Sequence, residues 1–304
     1  MSVDRDLAVR LAAFEWLAAQ SAEHGDVLPR TMLQQGFEYE GARIPLVSPQ
    51  GIFKPRSLDF PLSISTTPES PYGDAIGPDG TLAYRYRGTD PNHPDNVGLR
   101  KAIQAKRPLV YLFGVVPGRY VAVWPVFVVG DNPILLTFQI AFDDMSYLMR
   151  RDAYALAAES DTSARRAYIT TTVRVRLHQR AFRERVLEAY HSQCSLCRLR
   201  HRELLDAAHI IPDVEPEGEP LIRNGLALCK LHHAAFDSYM LTVAPDYRIH
   251  LRQDVLDEHD GPVLLHGLQE LHGASILLPS SPVHYPDREA LAVRFARFQE
   301  AHAP

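Results

Sequence analysis

Along residues 5–22 (RDLAVRLAAFEWLAAQSA) apolar side chains return at Leu7, Leu11, Phe14, Leu17 and Ala18, the spacing of one helix face, so the chain should open with an amphipathic helix. Pro29–Gly36 (PRTMLQQG) reads as a second, short helix, and the alternation in 37–47 (FEYEGARIPLV) predicts a hairpin-like wing. Two helices and a wing form a shape used by DNA binders, although a segment packed on a neighbouring domain reads the same way. From Pro45 to about Pro94 the chain is rich in Pro, Gly, Ser and Asp, which favours short strands joined by ordered turns. Strands are predicted at Thr81–Tyr86, Leu109–Val116, Tyr120–Val129 and Ile134–Phe142. Between them Asp95–Ala105 (DNVGLRKAIQA) starts with a capping residue and keeps helical spacing. The expectation is a mostly β domain, interrupted by one helix, with little room for parallel crossovers.

Residues 143–172 read as a polar helical connector, and SDTSARR (160–166) is the best linker candidate, which places a domain boundary near 160. A helix over about 175–190 then leads into a pair of cysteines. An apolar strand at 204–212 (LLDAAHIIP), a hairpin at 239–251 (YMLTVAPDYRIHL) and a final amphipathic helix at 286–302 (PDREALAVRFARFQEAH) complete the pattern. With 304 residues and roughly 150 per domain, the division is 1–42 as a helical segment packing on the first domain, 43–159 as that domain, and 160–304 as the second. The fold class is α+β.

Composition narrows the class without deciding the function. A 46% hydrophobic share with 23% charged residues belongs to an ordinary globular chain and excludes a disordered or fibrous one. No run of about 18 apolar residues occurs and the first residues lack a basic-then-apolar pattern, so a cytoplasmic protein without a membrane partner is expected. The net charge of -5 argues against a uniformly basic coat, but charge is uneven. Ten arginines stand between Arg165 and Arg202, against Glu184 and Glu188 alone. That stretch could meet phosphates, or could be a solvated helix face with ion pairs.

Three cysteines cannot all pair as disulfides. Cys194-x-x-Cys197 is followed 32 residues later by Cys229-x-x-His232, two close pairs of soft or borderline donors that suit a closed, tetrahedral, structural Zn²⁺. Between the pairs lie AAHI (207–210), NGL (224–226) and LCKLHHAAFD (228–237). In these motifs the stretch 190–252 resembles the HNH, or ββα-metal, endonuclease family. The resemblance implies His209 as general base, Asn224 orienting its imidazole by a hydrogen bond, and His233 binding a catalytic Mg²⁺, Mn²⁺ or similar ion. It also implies phosphodiester hydrolysis leaving 5′-phosphate and 3′-hydroxyl ends. Many members carry an acid or histidine just before the base; here Ala208 stands there. Residues 206 and 208 share one face of a strand, so Asp206 is the natural second ligand, with Asp237 as rival. Arg200, Arg202 and Lys230 are candidate contacts to DNA phosphates. His201, His250, His259 and His266 lack partner spacing and read as ordinary histidines.

Residues 43–142 resemble, more loosely, an SRA-type domain of the PUA-like superfamily. The shared features are a Tyr-x-Asp segment (Tyr72, Asp74), an aromatic strand ending in Gly (to Gly88), an Asn-x-x-Leu helix start (Asn96, Leu99) and a following strand pair. Such domains flip a modified cytosine into a pocket, stacked between aromatic rings and read by an acid. Tyr72, Asp74 and Tyr86 would form that pocket, with Tyr84 as an alternative stack; each on its own could equally fill a core or cap a turn. Trp124 reads as core. Together the resemblances imply a modification-dependent, type IV-like restriction endonuclease that defends against phage by cutting double-stranded DNA containing 5-methylcytosine or 5-hydroxymethylcytosine. One centre cuts one strand, so a homodimer is expected. The alternatives are an HNH nuclease whose first domain reads an unmodified sequence or another modification, and a zinc-containing DNA-binding module that has lost catalysis.

Overall fold

The computed structural model describes residues 4–68, 81–142, 159–259 and 261–301. The chain folds as two compact units, Met1–Arg180 and Ala181–Pro304, both mixed α+β. No helix among the described residues is long and apolar enough to cross a membrane.

In the first unit, helix α1 (Arg5–His24) is capped by Asp4, whose carboxylate accepts from the Leu7 amide. Strand β1 (Val27–Pro29), which the apolar pattern does not predict, comes next, and helix α2 (Arg30–Gln35) and the hairpin β2 (Phe37–Tyr39) with β3 (Ala42–Ile44) follow as expected. The sheet adds β4 (Ile52–Phe53), β5 (Ser63–Thr66), β6 (Thr81–Arg85), β7 (Leu109–Val116), β8 (Arg119–Asn132) and β9 (Thr137–Phe142). Its order is β4-β5-β7-β8-β9-β6, with β1 also paired to β8.

The expected scarcity of parallel crossovers needs one correction. β5 and β7 pair in parallel, because the connection between them carries both β6 and helix α3 (Pro94–Ala105), long enough to return the chain in the same direction. Helix α3 is also capped differently from expectation: the His93 ring accepts from the Asp95 amide, and Asp95 lies in the first turn.

The first residues pack on the sheet. Val9, Ala13, Phe14 and Leu17 of α1 share a core with Leu28, Leu33, Phe37, Ile44, Val110 and Leu112, and Trp124 packs against it. Arg10 is fully buried yet satisfied, donating to Asp6 and to the carbonyls of Pro61 and Pro108.

Helix α4 (Glu159–Ala189) includes residues 160–166, so the predicted linker is helical. The second unit continues with β10 (Leu205–His209), β11 (Gly225–Cys229), helix α5 (Lys230–Asp237), the hairpin β12 (Leu241–Val243) with β13 (Ile249–Leu251), short helices α6 (Gln253–Asp257) and α7 (Pro262–Gly267), and α8 (Arg288–Glu300). Strands β10 and β11 are antiparallel, with Asp206 opposite Leu228 and His209 opposite Gly225. Phe182, Val186 and Tyr190 of α4 join Ala208, Leu226, Leu228 and Phe236 in one core. Gly225 is required there: a Cβ would come within 2.6 Å of Val186 and 2.9 Å of Phe182.

Candidate active site and metal centre

The two cysteine pairs converge. One ligand atom from each of Cys194, Cys197, Cys229 and His232 lies within 4.8 Å of the others. Nδ1 of His232 is 3.4 Å from Cys194 Sγ and 3.2 Å from Cys229 Sγ, and Cys197 Sγ is 3.9 Å from Cys229 Sγ. A tetrahedron with Zn–S of about 2.3 Å and Zn–N of about 2.05 Å has edges of roughly 3.6–3.8 Å, so the donors are spaced for zinc. Nε2 of His232 donates to the Gly267 carbonyl at 2.7 Å, which fixes the tautomer that turns Nδ1 toward an ion. Hydrogen bonds from Cys194 and Cys197 draw the Cys229 thiol far below the ordinary cysteine range. Among the described residues no other cluster has this form.

The ββα core places the nuclease residues on three successive elements. His209 ends β10, Asn224 closes the loop into β11, and His233 lies on α5. The His209 ring lies flat against Phe182, and its Nε2 is buried without a hydrogen-bond partner among the described residues. Burial holds the imidazole below its ordinary pKa, with His233 adding to the shift and Asp213 and Asp237 opposing it. His209 is therefore neutral, and able to accept a proton, at neutral pH.

Asn224 does something other than expected. Its amide accepts from the Ile211 amide at 2.9 Å and donates to the carbonyls of Ile211 (3.0 Å) and Glu219 (3.1 Å). The side chain staples the loop after β10, and its backbone carbonyl accepts from the Ile210 amide at 2.9 Å.

His233 stands between two acids. Its Nδ1 is 3.9 Å from Asp206 Oδ2 and its Nε2 is 3.3 Å from Asp237 Oδ2. Two ligand atoms, each about 2.1 Å from one ion, can stand at most about 4.2 Å apart, a limit that the His233–Asp206 and the His233–Asp237 pairs both meet. The carboxylate oxygens suit Mg²⁺ or Mn²⁺, and the imidazole nitrogen suits later transition ions.

The basic stretch is largely used internally. Arg176 and Arg180 pair with Asp26. Arg183 pairs with Glu184, and Arg185 donates to the carbonyls of Ala181 and Pro220. Arg202, a candidate phosphate contact, is committed to the buried Glu184 and to Ser192. Arg200 and Lys230 are exposed. Sequence reasoning missed Phe182, Arg183 and Arg294. Buried Arg294 of α8 lies 3.5 Å over the Phe236 ring and donates to the Phe236 and Ile210 carbonyls, with its pKa pushed down to about 10 by burial. A cation at the end of α5 also complements the helix dipole.

In the first unit, Tyr72 and Asp74 fall outside the described residues. Tyr86 is buried and stacks on Phe138 at 4.5 Å. Its hydroxyl meets Asp131 and Arg100, and burial followed by Asp131 raises its pKa. Tyr84 is buried too, its hydroxyl donating to the carbonyls of Gly51 and Ser65. Asn96 is fully buried and bonds Arg87 and Asp90.

Residues 194–244 match the family described as HNH endonuclease, so the second unit carries an HNH endonuclease domain. A solved structure described as a modification dependent TagI restriction endonuclease aligns at 15% identity over 79% of this chain and 82% of that chain, with a TM-score of 0.28. No curated protein matches the chain.

Proposed function

We propose that this DNA endonuclease hydrolyses phosphodiesters with His209 as general base and a divalent cation held by His233 and Asp206. The observation that supports this reading best is that His209, held neutral by burial, feels the charges of His233 and Asp237, while His233 itself lies 3.9 Å from Asp206 and 3.3 Å from Asp237. When bound, the cation supplies electrostatic stabilisation to the pentavalent phosphate and to the departing oxygen. His209 takes the proton of the attacking water; with Nε2 buried, Nδ1 is the nitrogen that faces it. Asn224 keeps the β10–β11 loop, and so the base, in place. The Cys194, Cys197, Cys229 and His232 set holds zinc and serves the fold.

The first unit selects the substrate by reading 5-methylcytosine or 5-hydroxymethylcytosine in a duplex. This part rests on the sequence resemblance of residues 43–142, with Tyr72 and Asp74 as pocket residues; Tyr86 as placed supports that pocket's wall better than its interior. Two copies of the chain act together for a double-strand break.

The test is cleavage of matched duplexes carrying cytosine, 5-methylcytosine or 5-hydroxymethylcytosine, with Mg²⁺, Mn²⁺ or chelator, alongside His209→Ala. Ion-dependent cutting of modified duplexes alone, lost in the variant, is the expected result. Equal cutting of plain DNA removes the modified-base reading and leaves the nuclease. Cutting by His209→Ala at the wild-type rate removes the mechanism. Nicked products at all enzyme concentrations remove the paired arrangement.

A further inference from the structure

In this chain the acid that faces His233 lies two residues before Ala208, about 6.6 Å further back along the strand, so something must steer its carboxylate. The structure shows what does. The guanidinium of Arg183, on α4, reaches the start of β10 and grips it by backbone and side chain together. Nη2 donates to the Leu205 carbonyl at 2.8 Å and to the Arg202 carbonyl at 3.2 Å, while Nε lies 3.4 Å from Asp206 Oδ1. The same Oδ1 accepts from the Ala207 amide at 2.9 Å. With Oδ1 held from two sides, Oδ2 is the oxygen turned toward His233 Nδ1. Arg183 is itself fixed: Nη1 donates at 2.8 Å to Glu184, whose side chain is only 1% exposed and is paired on its other oxygen with Arg202.

We propose that Arg183, anchored by Glu184, is a positioning residue that presents Asp206 Oδ2 to the divalent cation. A buried carboxylate between two guanidiniums is costly unless both are kept, which makes Glu184 a fixed post rather than a spare surface acid. Arginine is needed because four acceptors in different directions call for a planar fork, which a lysine ammonium lacks. The proposal rests on the reading of Asp206 as a ligand, and its test separates the two.

The full-length, zinc-loaded protein is titrated with Mn²⁺ by calorimetry, as wild type, Arg183→Lys, Glu184→Gln and Asp206→Ala, with zinc content and thermal midpoint measured on each. Arg183→Lys should weaken Mn²⁺ binding about 10–100-fold, the range for loss of a partner behind a metal ligand, with zinc content close to wild type even though the midpoint falls. Glu184→Gln should weaken it less. The Mn²⁺ concentration for half-maximal cleavage should rise in step, and kcat should recover at saturating Mn²⁺. Wild-type Mn²⁺ affinity in Arg183→Lys, with affinity lost in Asp206→Ala, overturns the role of Arg183 and leaves the ligand reading standing. Unchanged affinity in Asp206→Ala overturns the ligand reading itself. Weakened Mn²⁺ binding in Arg183→Lys that comes only with zinc loss also overturns the proposal, because Arg183 would then serve the fold alone.

Discussion

The imidazole of His209 and the ring of Phe182 lie 3.9 Å apart, centroid to centroid, and 13° from parallel. A neutral imidazole loses little by this burial; an imidazolium loses the water on one face. The stack contributes to the burial that holds the base neutral.

The acid limb of the pH–rate profile should accordingly lie below the ordinary imidazole value of about 6.5. Phe182→Leu, which readmits water to the ring, should move that limb upward, so that cleavage falls more at pH 6 than at pH 8. Stability follows the same proton. The folded chain holds it less tightly than the unfolded chain, so the second unit loses stability as pH falls from about 6.5 through the lowered folded value, and this contribution is flat at higher pH. Equal pH profiles for wild type and Phe182→Leu would rule the stack out as the cause.

Stripping zinc should unfold the second unit. Metal binding in small zinc modules contributes about 10–16 kcal/mol, as much as or more than a typical domain's net stability of about 5–15 kcal/mol. Elemental analysis should find one zinc per chain, reduced in Cys229→Ala, and calorimetry should show the second unit's transition lost while the first unit's remains. A chelated, zinc-free protein with an unchanged second transition would contradict this.

Asn224→Ala should lower the second unit's stability by about 1–3 kcal/mol, since it leaves Ile211 and Glu219 groups unpaired. Cleavage should fall as well, because the loop so released carries the chain away from His209. A variant as stable as wild type would place Asn224 outside the loop's support.

Tyr86→Phe distinguishes a wall from a reader. If the hydroxyl serves Asp131 and Arg100 as placed, the variant should cost about 1–2 kcal/mol of first-unit stability with no change in preference between cytosine and 5-methylcytosine duplexes. A changed preference at unchanged stability would return Tyr86 to the pocket.

Periodic elements were legible in the sequence. Leu7, Leu11, Phe14 and Leu17 declared α1, and the paired cysteines declared a cluster that the fold indeed assembles. Hidden features depended on contacts distant in sequence. Strand β1 is three residues long and exists because it pairs with β8; nothing local distinguishes it from a turn. The parallel β5–β7 pair likewise has no local signal. Residues 160–166 looked like a linker because Ser, Asp and Thr favour turns and caps, a preference weak enough for helix context to override. Arg183 and Glu184 resembled neighbours on a charged helix face. Only the fold reveals that one is sealed in the interior and the other reaches β10. Helical spacing from Phe182 and Val186 was the available clue that this turn faces inward.

The carbonyl of Gly267, which receives the His232 proton, lies well outside residues 194–244. So do Phe182 and Arg183 before them and Arg294 after them. Anyone wishing to transplant this cutter onto another DNA-binding protein would be misled by the short family-matching segment. An excised 194–244 would carry every donor for both ions yet lose the groups that orient a zinc imidazole, shield the base and brace the end of α5. A segment that keeps these groups runs from Ala181 to the end of α8, and its cutting strength should travel only with those flanks.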